Sequence, residues 1–162
     1  HYGQTRRGGE DYITHTRAVS QIARDAVLAN KDKFGLINDQ LDMISCIALL
    51  HDVMEDTGLT LSQMAVILQV KIESAVFINQ LLDNLEILTH GKGETYEYYI
   101  DWIIAKSDEF PLALIVKIAD MQHNMSCCMA ELRESCNPKS SKQLEKYSKH
   151  YNRLVEAFDA LV

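Results

Sequence analysis

The sequence is poor in several features that mark particular classes of protein. It has two prolines in 162 residues, and no apolar run approaches the roughly 20 residues that a membrane-spanning helix needs. Basic residues are also in deficit, with 16 Lys and Arg against 23 Asp and Glu and a formal net charge of −7. Proteins that bind nucleic acids normally present a basic face. We therefore expect neither a nucleic-acid partner nor a membrane partner.

Cysteine is sparse as well, and its spacing excludes two common uses. None of the four cysteines forms a CxxC pair, and a bridge between the adjacent Cys127 and Cys128 would be strained. We therefore expect reduced thiols, and a cytoplasmic location, rather than a zinc knuckle or a disulfide framework. No signal peptide opens the chain. Because the chain begins at His1 and not at a Met, we expect native residues to be missing from the N-terminus.

Apolar residues recur with helical spacing, whereas strand-like alternation is scarce. Thr60 with Gln63 predicts a capping box, and Asn137-Pro138 predicts an N-cap followed by proline at the first helical position. No repeat or long linker interrupts the pattern. We therefore expect an all-α fold, a compact single-domain helical bundle over residues 1–162. Its main helices are predicted at about 14–30, 39–56, 60–69, 71–88, 111–132 and 139–161, with an aromatic helix around 96–102.

The most informative cluster is His51-Asp52, followed at once by Glu55-Asp56. These four ionisable residues come directly after an apolar helical run that ends at Leu50. Burying unpaired charge beside a core is costly, so such a cluster usually holds a cation or a substrate.

Two further segments supply candidate metal ligands, His15 in the first long helix and Asp120 in the helix that begins at Pro111. Taken alone, His15 has an ordinary reading as a surface or core histidine, and Asp120 as a capping or salt-bridged carboxylate. With His51 and Asp52 they form a mixed nitrogen and oxygen set suited to Mn²⁺, Fe²⁺ or Zn²⁺. Such an ion lowers the pKa of a bound water and neutralises phosphoryl charge.

Glu55 and Asp56 have the positions expected of catalytic acids. If the helix continues to Asp56, Glu55 shares a face with His51, four residues earlier. Acidic side chains at a helix C-terminus oppose the macrodipole, which argues against a purely structural role. One carboxylate would orient or deprotonate an attacking water, and its neighbour would fix that geometry or assist protonation of the leaving group.

Three segments together resemble one family. The string Leu-Leu-His-Asp-Val-Met-Glu-Asp-Thr (49–57) resembles the HD motif of the RelA/SpoT alarmone hydrolases, within the HD-domain phosphohydrolase superfamily. Tyr-Ile-Thr-His (12–15) is similar to their Tyr-Ile-x-His segment. Lys-Ile-Ala-Asp (117–120) with His-Asn-Met (123–125) is similar to their Lys-Leu-Ala-Asp-x-x-His-Asn-Met. The resemblance covers about residues 1–128 and includes the segment before Tyr12.

The resemblance implies an HD-type helical fold and a Mn²⁺-dependent enzyme that hydrolyses the 3′-pyrophosphate of (p)ppGpp to GDP or GTP plus pyrophosphate. It implies that Glu55 and Asp56 activate the water, that Arg6 and Arg7 hold the guanine nucleotide, and that Asn124 contacts its sugar or base. The implied ligands of one Mn²⁺ are His15, His51, Asp52 and Asp120.

Two alternatives remain open from the sequence. Cys127 stands where the family commonly has a hydroxyl residue, so the substrate could be another nucleotide, such as ppApp or the 2′-phosphate of NADPH. A catalytically silent nucleotide-sensing module is the third possibility, against which the intact Glu55-Asp56 pair argues. No synthetase region follows before Val162, so we expect a hydrolase-only chain or an excised hydrolase domain.

Overall fold

The structure is a computed structural model that describes Thr5, Gly9 and residues 11–34 and 38–161. Within these residues the chain is helical with no strand, and an isolated bridge pairs Thr5 with Asp11. The all-α prediction is therefore confirmed. The helices are α1 (Tyr12–Ala29), α2 (Lys31–Phe34), α3 (Asn38–Leu50), α4 (Val53–Thr57), α5 (Leu61–Gln69), α6 (Ala75–Leu88), α7 (Tyr96–Ala105), α8 (Pro111–Ser135) and α9 (Pro138–Leu161).

Helix α8 is the central element of the bundle. It packs against α1, α3, α6, α7 and α9, while α1 also packs on α3 and α5 rests on α6. The buried apolar side chains of these helices form one contiguous core. No helix in the described ranges is both long and apolar enough to cross a membrane. The further expectation of one domain over residues 1–162 stays a prediction.

The apolar stripe of α1 explains how a histidine comes to lie inside the protein. Val19, Ala23 and Val27 follow one another at intervals of four residues, share one face of the helix, and are fully buried. His15 continues the same stripe one turn earlier, where only 2% of the residue is exposed. The helix that buries these apolar residues therefore carries His15 into the end of the core.

Helix α8 places Asp120 in the same way. Pro111 stands in the first turn of the helix, where its missing N–H leaves no intrahelical hydrogen bond unmade. Ala113, Val116 and Asp120 then recur at intervals of three and four residues, and all three are buried. A carboxylate thus occupies a core position of the most buried helix.

Both predicted caps are present. Thr60 and Gln63 bond reciprocally at the start of α5, with the Gln63 N–H donating to Thr60 Oγ1 at 3.3 Å and the Thr60 N–H donating to Gln63 Oε1 at 2.9 Å. The Asn137 side-chain oxygen accepts from the Lys139 N–H at 3.1 Å, before Pro138 opens α9. The four cysteines are free thiols.

The predicted helix over about 39–56 is wrong in being continuous. Helix α3 ends at Leu50, His51 and Asp52 form a turn, and the separate short helix α4 runs from Val53 to Thr57. Gly58 ends α4 with a φ of 71°, a left-handed conformation that glycine adopts without strain. Between the first two predicted helices, where the sequence predicts none, the structure has the one-turn helix α2.

A stability prediction follows from the end of α8, where Cys136 has a φ of 46°. An L-residue with a Cβ is strained in this left-handed conformation, and glycine is not. We expect Cys136→Gly to raise the free energy of unfolding by about 0.5–1 kcal/mol. Denaturant titration followed by circular dichroism measures the change.

The neighbouring substitution Ser135→Gly is the matched control. Ser135 lies in the last turn of α8 with helical geometry, so glycine there should lower the free energy of unfolding by about 0.5–1 kcal/mol. A Cys136→Gly protein less stable than the parent protein would show that the left-handed conformation carries no strain.

Candidate metal centre

Three helical segments converge at one end of the core and bring four of the predicted residues together. The donor atoms of His15, His51 and Asp52 all lie within 4.8 Å of one another. His51 Nε2 is 3.1 Å from Asp52 Oδ2, and His15 Nε2 is 3.8 Å from the same oxygen. Asp120 Oδ1 lies 3.3 Å from His15 Nε2 and 3.6 Å from His51 Nε2.

These separations suit donors that share one ion. Ligand atoms about 2.1 Å from a metal are about 3.0 Å apart at right angles and about 3.4 Å apart at the tetrahedral angle. The four separations that join a histidine to an aspartate run from 3.1 to 3.8 Å, close to that range. Two imidazoles with two carboxylates are also a donor set that Mn²⁺, Fe²⁺ and Zn²⁺ accept. The residues present therefore fit a divalent transition metal.

His51 gives the strongest evidence that a cation belongs here. Its Nδ1 lies 2.8 Å from the Ala48 carbonyl, which can only accept, so Nδ1 carries the proton. Its Nε2 is buried and, although it lies 3.1 Å from Asp52 Oδ2, it forms no hydrogen bond with any described residue. Burial lowers the pKa of His51, but the carboxylates of Asp120 and Asp52 outweigh it and raise the pKa to about 10. The carboxylates therefore favour positive charge at Nε2, which either a proton or a metal ion supplies.

His15 is held in place by a second histidine. Its Nδ1 lies 2.9 Å from His123 Nδ1, and a proton between the two nitrogens joins the rings. His123 Nδ1 is in turn 3.8 Å from Cys127 Sγ. This contact leaves His15 Nε2 directed at Asp120. An outer partner that fixes the ring of a ligating histidine is a regular part of protein metal sites.

Asp120 is almost completely buried, and both of its oxygens are used. Oδ2 accepts from Lys117 Nζ at 3.0 Å, and Oδ1 accepts from Asn124 Nδ2 at 2.6 Å. Burial by itself raises the pKa of Asp120, but the Lys117 ammonium and the two histidines hold it well below its usual range. The carboxylate is therefore charged and faces His15 and His51.

Asp52 is less buried than Asp120 and is oriented by Tyr12, whose hydroxyl donates to Asp52 Oδ2. Burial raises the pKa of Asp52, but His51 outweighs it, and the pKa is lowered overall. The pKa of Tyr12 is raised by burial and by the charges of Asp52 and Asp56, so this phenol remains a donor. Tyr12 and His15 stand on adjacent turns of α1, so one helix supplies both a ligand candidate and the group that orients another.

The site lies at the floor of an open cleft of about 820 Å³, whose wall carries Glu55 and Asp56. Glu55 Oε1 accepts from the backbone N–H of His90 at 2.8 Å, which ties α4 to the loop before α7. Desolvation raises the pKa of Glu55 above its usual value, although the His90 N–H and Lys117 oppose the shift. The cleft volume is within the range of small-molecule sites.

The break after Leu50 corrects one part of the sequence argument. Glu55 and Asp56 lie in the first turn of α4 and not at the C-terminus of a longer helix. Acids in a first turn agree with the helix dipole, so the dipole gives no reason to assign them a functional role. Their position in the cleft wall gives that reason instead.

The remaining predicted residues fall in two groups. Asn124 lines the same cleft, while Arg6 and Arg7 lie outside the described residues.

Three residues that the structure places around the site, Tyr12, His90 and His123, received no separate role from the sequence. Tyr12 stands three residues before His15, and His123 three after Asp120, so helical spacing from a ligand could have indicated both. His90 had no such signal, because it reaches Glu55 from a distant loop.

Comparison with known proteins points to one family, although no protein-family model matches the chain. The chain is 33% identical over 155 residues, 95% of its length, to the bifunctional (p)ppGpp synthase/hydrolase SpoT of Escherichia coli K12. It is 33% identical over 125 residues, 77% of its length, to the guanosine-3′,5′-bis(diphosphate) 3′-pyrophosphohydrolase of Haemophilus influenzae. It is 28% identical over 157 residues, 95% of its length, to the GTP pyrophosphokinase of Streptomyces coelicolor.

The matched region is a small part of each of these relatives. The chain spans 20% of the length of the Escherichia coli protein and 16% of the length of each of the other two. Their names include both pyrophosphate-removing and pyrophosphate-transferring activities, so kinship alone does not select between them. The chain belongs to the RelA/SpoT-type family.

Proposed function

We propose that this protein is a metal-dependent phosphohydrolase that removes the 3′-pyrophosphate of (p)ppGpp, giving GDP or GTP and pyrophosphate. The observation that carries the proposal is the buried Nε2 of His51, which has no hydrogen-bond partner in the described part of the chain and faces Asp52 and Asp120. The relatives named as 3′-pyrophosphohydrolases support the choice of reaction.

We assign His15, His51, Asp52 and Asp120 as the ligands of the ion, and Mn²⁺ as the ion that this donor set suits. When bound, a divalent cation there would lower the pKa of a water and neutralise charge on a phosphoryl group. Tyr12, Lys117 and His123 keep the ligand side chains in place. Lys117 and His123 contact Asp120 and His15 on the atom that faces away from the shared centre, whereas Tyr12 donates to Asp52 Oδ2, the oxygen that the two histidines approach.

We assign Glu55 and Asp56 as the catalytic acids. Glu55, fixed by the His90 N–H, orients the attacking water and accepts its proton as the oxygen bonds to phosphorus. Its raised pKa makes it a better base than an exposed glutamate. Asp56, on the same wall of the cleft, fixes this geometry or assists proton transfer to the 3′-oxygen as the phosphorus–oxygen bond breaks.

The charge of the cleft bears on how an anionic nucleotide could bind. Its described lining includes more carboxylates than basic side chains, and one of those basic groups, Lys117, is paired with Asp120. A polyphosphate would be repelled unless cations offset these charges. The metal ion supplies part of that charge, and we propose that Arg6 and Arg7 supply the rest by holding the nucleotide. We propose that Asn124, besides its bond to Asp120, contacts the sugar or base.

Loss of one ligand tests the proposal. We expect Asp52→Asn to lower Mn²⁺-dependent release of pyrophosphate from ppGpp by more than about 100-fold, because the loss of an outer partner already costs about 10–100-fold. The assay follows pyrophosphate release with and without added Mn²⁺. Asp42→Asn, an exposed aspartate on α3, is the matched control and should keep full activity.

The same assay should include ppApp and NADPH as substrates. Cleavage of either one with ppGpp untouched would reject the guanosine assignment and keep the phosphohydrolase. Binding of all three nucleotides without turnover in Mn²⁺ would reject catalysis and favour a sensing module.

Removing the charge of Glu55 tests whether this residue acts in catalysis and not in metal binding. Glu55→Gln keeps an oxygen that can accept from the His90 N–H but loses the base. We expect kcat to fall by about 10²–10⁴-fold, while the affinity for Mn²⁺ changes little. Steady-state kinetics and calorimetric Mn²⁺ titration give the two values. Glu73→Gln, on the exposed surface outside the cleft, is the control, and a Glu55→Gln enzyme with normal kcat would remove Glu55 from the mechanism.

A further inference from the structure

The cleft extends well beyond the metal centre, along one face of α8. Residues of this helix line it from Lys117 to Glu134, a length of roughly 26 Å at the helical rise. Helix α9 packs against α8 and adds Gln143, Lys146 and Tyr147 to the lining. Because the metal centre occupies only the start of this stretch, the cleft has room for more of a ligand than one reacting group.

Lys146 is a cleft ammonium group without a carboxylate partner. The described lining contains two lysines, Lys117 and Lys146, and no arginine. Lys117 is paired with Asp120 at 3.0 Å. No described carboxylate forms an ion pair or a hydrogen bond with Lys146. Within the described lining, Lys146 is therefore the lysine whose charge no acidic side chain neutralises.

Two aromatic rings position this ammonium group. Lys146 Nζ lies 3.5 Å from the centre of the Tyr96 ring and 5.9 Å from the centre of the Tyr147 ring. The face of an aromatic ring attracts a cation but is only a weak acceptor of hydrogen bonds. The N–H groups of Lys146 can therefore still donate to a stronger acceptor, such as an anionic oxygen of a ligand.

The surroundings of Lys146 favour an anion. Burial and the charge of Lys117 both lower the pKa of Lys146. Lys117 Nζ lies 6.0 Å from the centre of the Tyr96 ring, so the two ammonium groups border the same ring. A negative group beside Lys146 would oppose both effects on its pKa. The charge at this point of the cleft therefore suits a phosphate group.

The proposed substrate carries two anionic groups, and one ribose ring separates them. The 3′-pyrophosphate would react at the metal centre, which leaves the phosphates at the 5′ position. Lys117 Nζ bonds to Asp120 Oδ2 at 3.0 Å, so it marks the edge of the metal centre. Only the Tyr96 ring lies on the path from Lys117 to Lys146 given above. This short separation matches a nucleotide that spans from the metal centre to Lys146.

On the basis of the proposed function, we propose that Lys146 binds the 5′-phosphates of the nucleotide and selects substrates that are phosphorylated at both the 3′ and the 5′ position. Its Nζ donates to a phosphate oxygen, while Tyr96 and Tyr147 keep the ammonium group in place. Lys146 touches no reacting atom and acts on affinity and selectivity. Its charge adds to that of the metal ion and of the two arginines near the N-terminus.

Steady-state kinetics with Mn²⁺ test the role of Lys146 on two substrates, ppGpp and guanosine 3′-diphosphate, which lacks the 5′-phosphates. We expect Lys146→Gln to raise KM for ppGpp by about tenfold, because it removes a hydrogen bond between charged groups. The value of kcat should not change, since the 5′-phosphates take no part in the reaction. KM for guanosine 3′-diphosphate should also stay the same, whereas a merely structural role would raise KM for both substrates.

Two further variants are the controls. Lys146→Arg keeps the positive charge and should keep KM for ppGpp close to that of the parent protein. Lys142→Gln removes an exposed lysine one turn earlier on α9, outside the lining of the cleft, and should change neither KM.

The kinetics separate failure of this proposal from failure of the proposed function. Turnover of ppGpp with an unchanged KM in Lys146→Gln, or an equal rise in KM for both substrates, would overturn the role of Lys146 and keep the phosphohydrolase. If the parent protein releases no pyrophosphate, the proposed function fails, and calorimetric titration of the Mn²⁺-loaded proteins with the same two nucleotides tests Lys146. Weaker binding of ppGpp alone to Lys146→Gln would then support the proposal. Equal affinities of the parent protein and the variant, or no binding, would overturn it.

Discussion

The burial of the Asp120 carboxylate is the constraint on which the rest of the site depends. A charged group at a core position of the central helix is stable only if its neighbours compensate for the loss of water. Lys117 and Asn124 supply donors from the same helix. His15 and His51, which lie at the ends of the apolar stripes of α1 and α3, place their Nε2 atoms next to Asp120 Oδ1. The apolar stripes of α1 and α3 thus end beside one buried charge on α8.

The break between α3 and α4 gives this buried centre access to the cleft. His51 still belongs to the buried stripe of α3, whereas the next residue, Asp52, is the N-cap of a new helix. The change of direction lets Asp52 approach both the histidines and Tyr12. It also puts Glu55 and Asp56 on the wall of the cleft that Asp52 and Asp120 line. The separation of the ligand candidates from the proposed catalytic acids follows from one turn in the backbone.

Much of this arrangement could be predicted from local patterns. Helical spacing located most of the helices, and the caps at Thr60 and Asn137 follow from side-chain chemistry close in sequence. The turn after Leu50 could not be predicted, because Val53–Thr57 continues a helical pattern across it. The contact of His90 with Glu55 joins residues 35 positions apart, and only the packed fold defines it. Residue types and their spacing indicated the four ligand candidates, and the family resemblance implied the same set. The structure identified the groups that orient them.

The central claim is that the four side chains hold one divalent cation, and anomalous diffraction tests it most directly. Crystals grown with Mn²⁺ would be measured on both sides of the manganese absorption edge. We expect one strong anomalous peak in contact with His15 Nε2, His51 Nε2, Asp52 and Asp120. No peak at this position, with His51 Nε2 paired instead to a carboxylate through a proton, would contradict it.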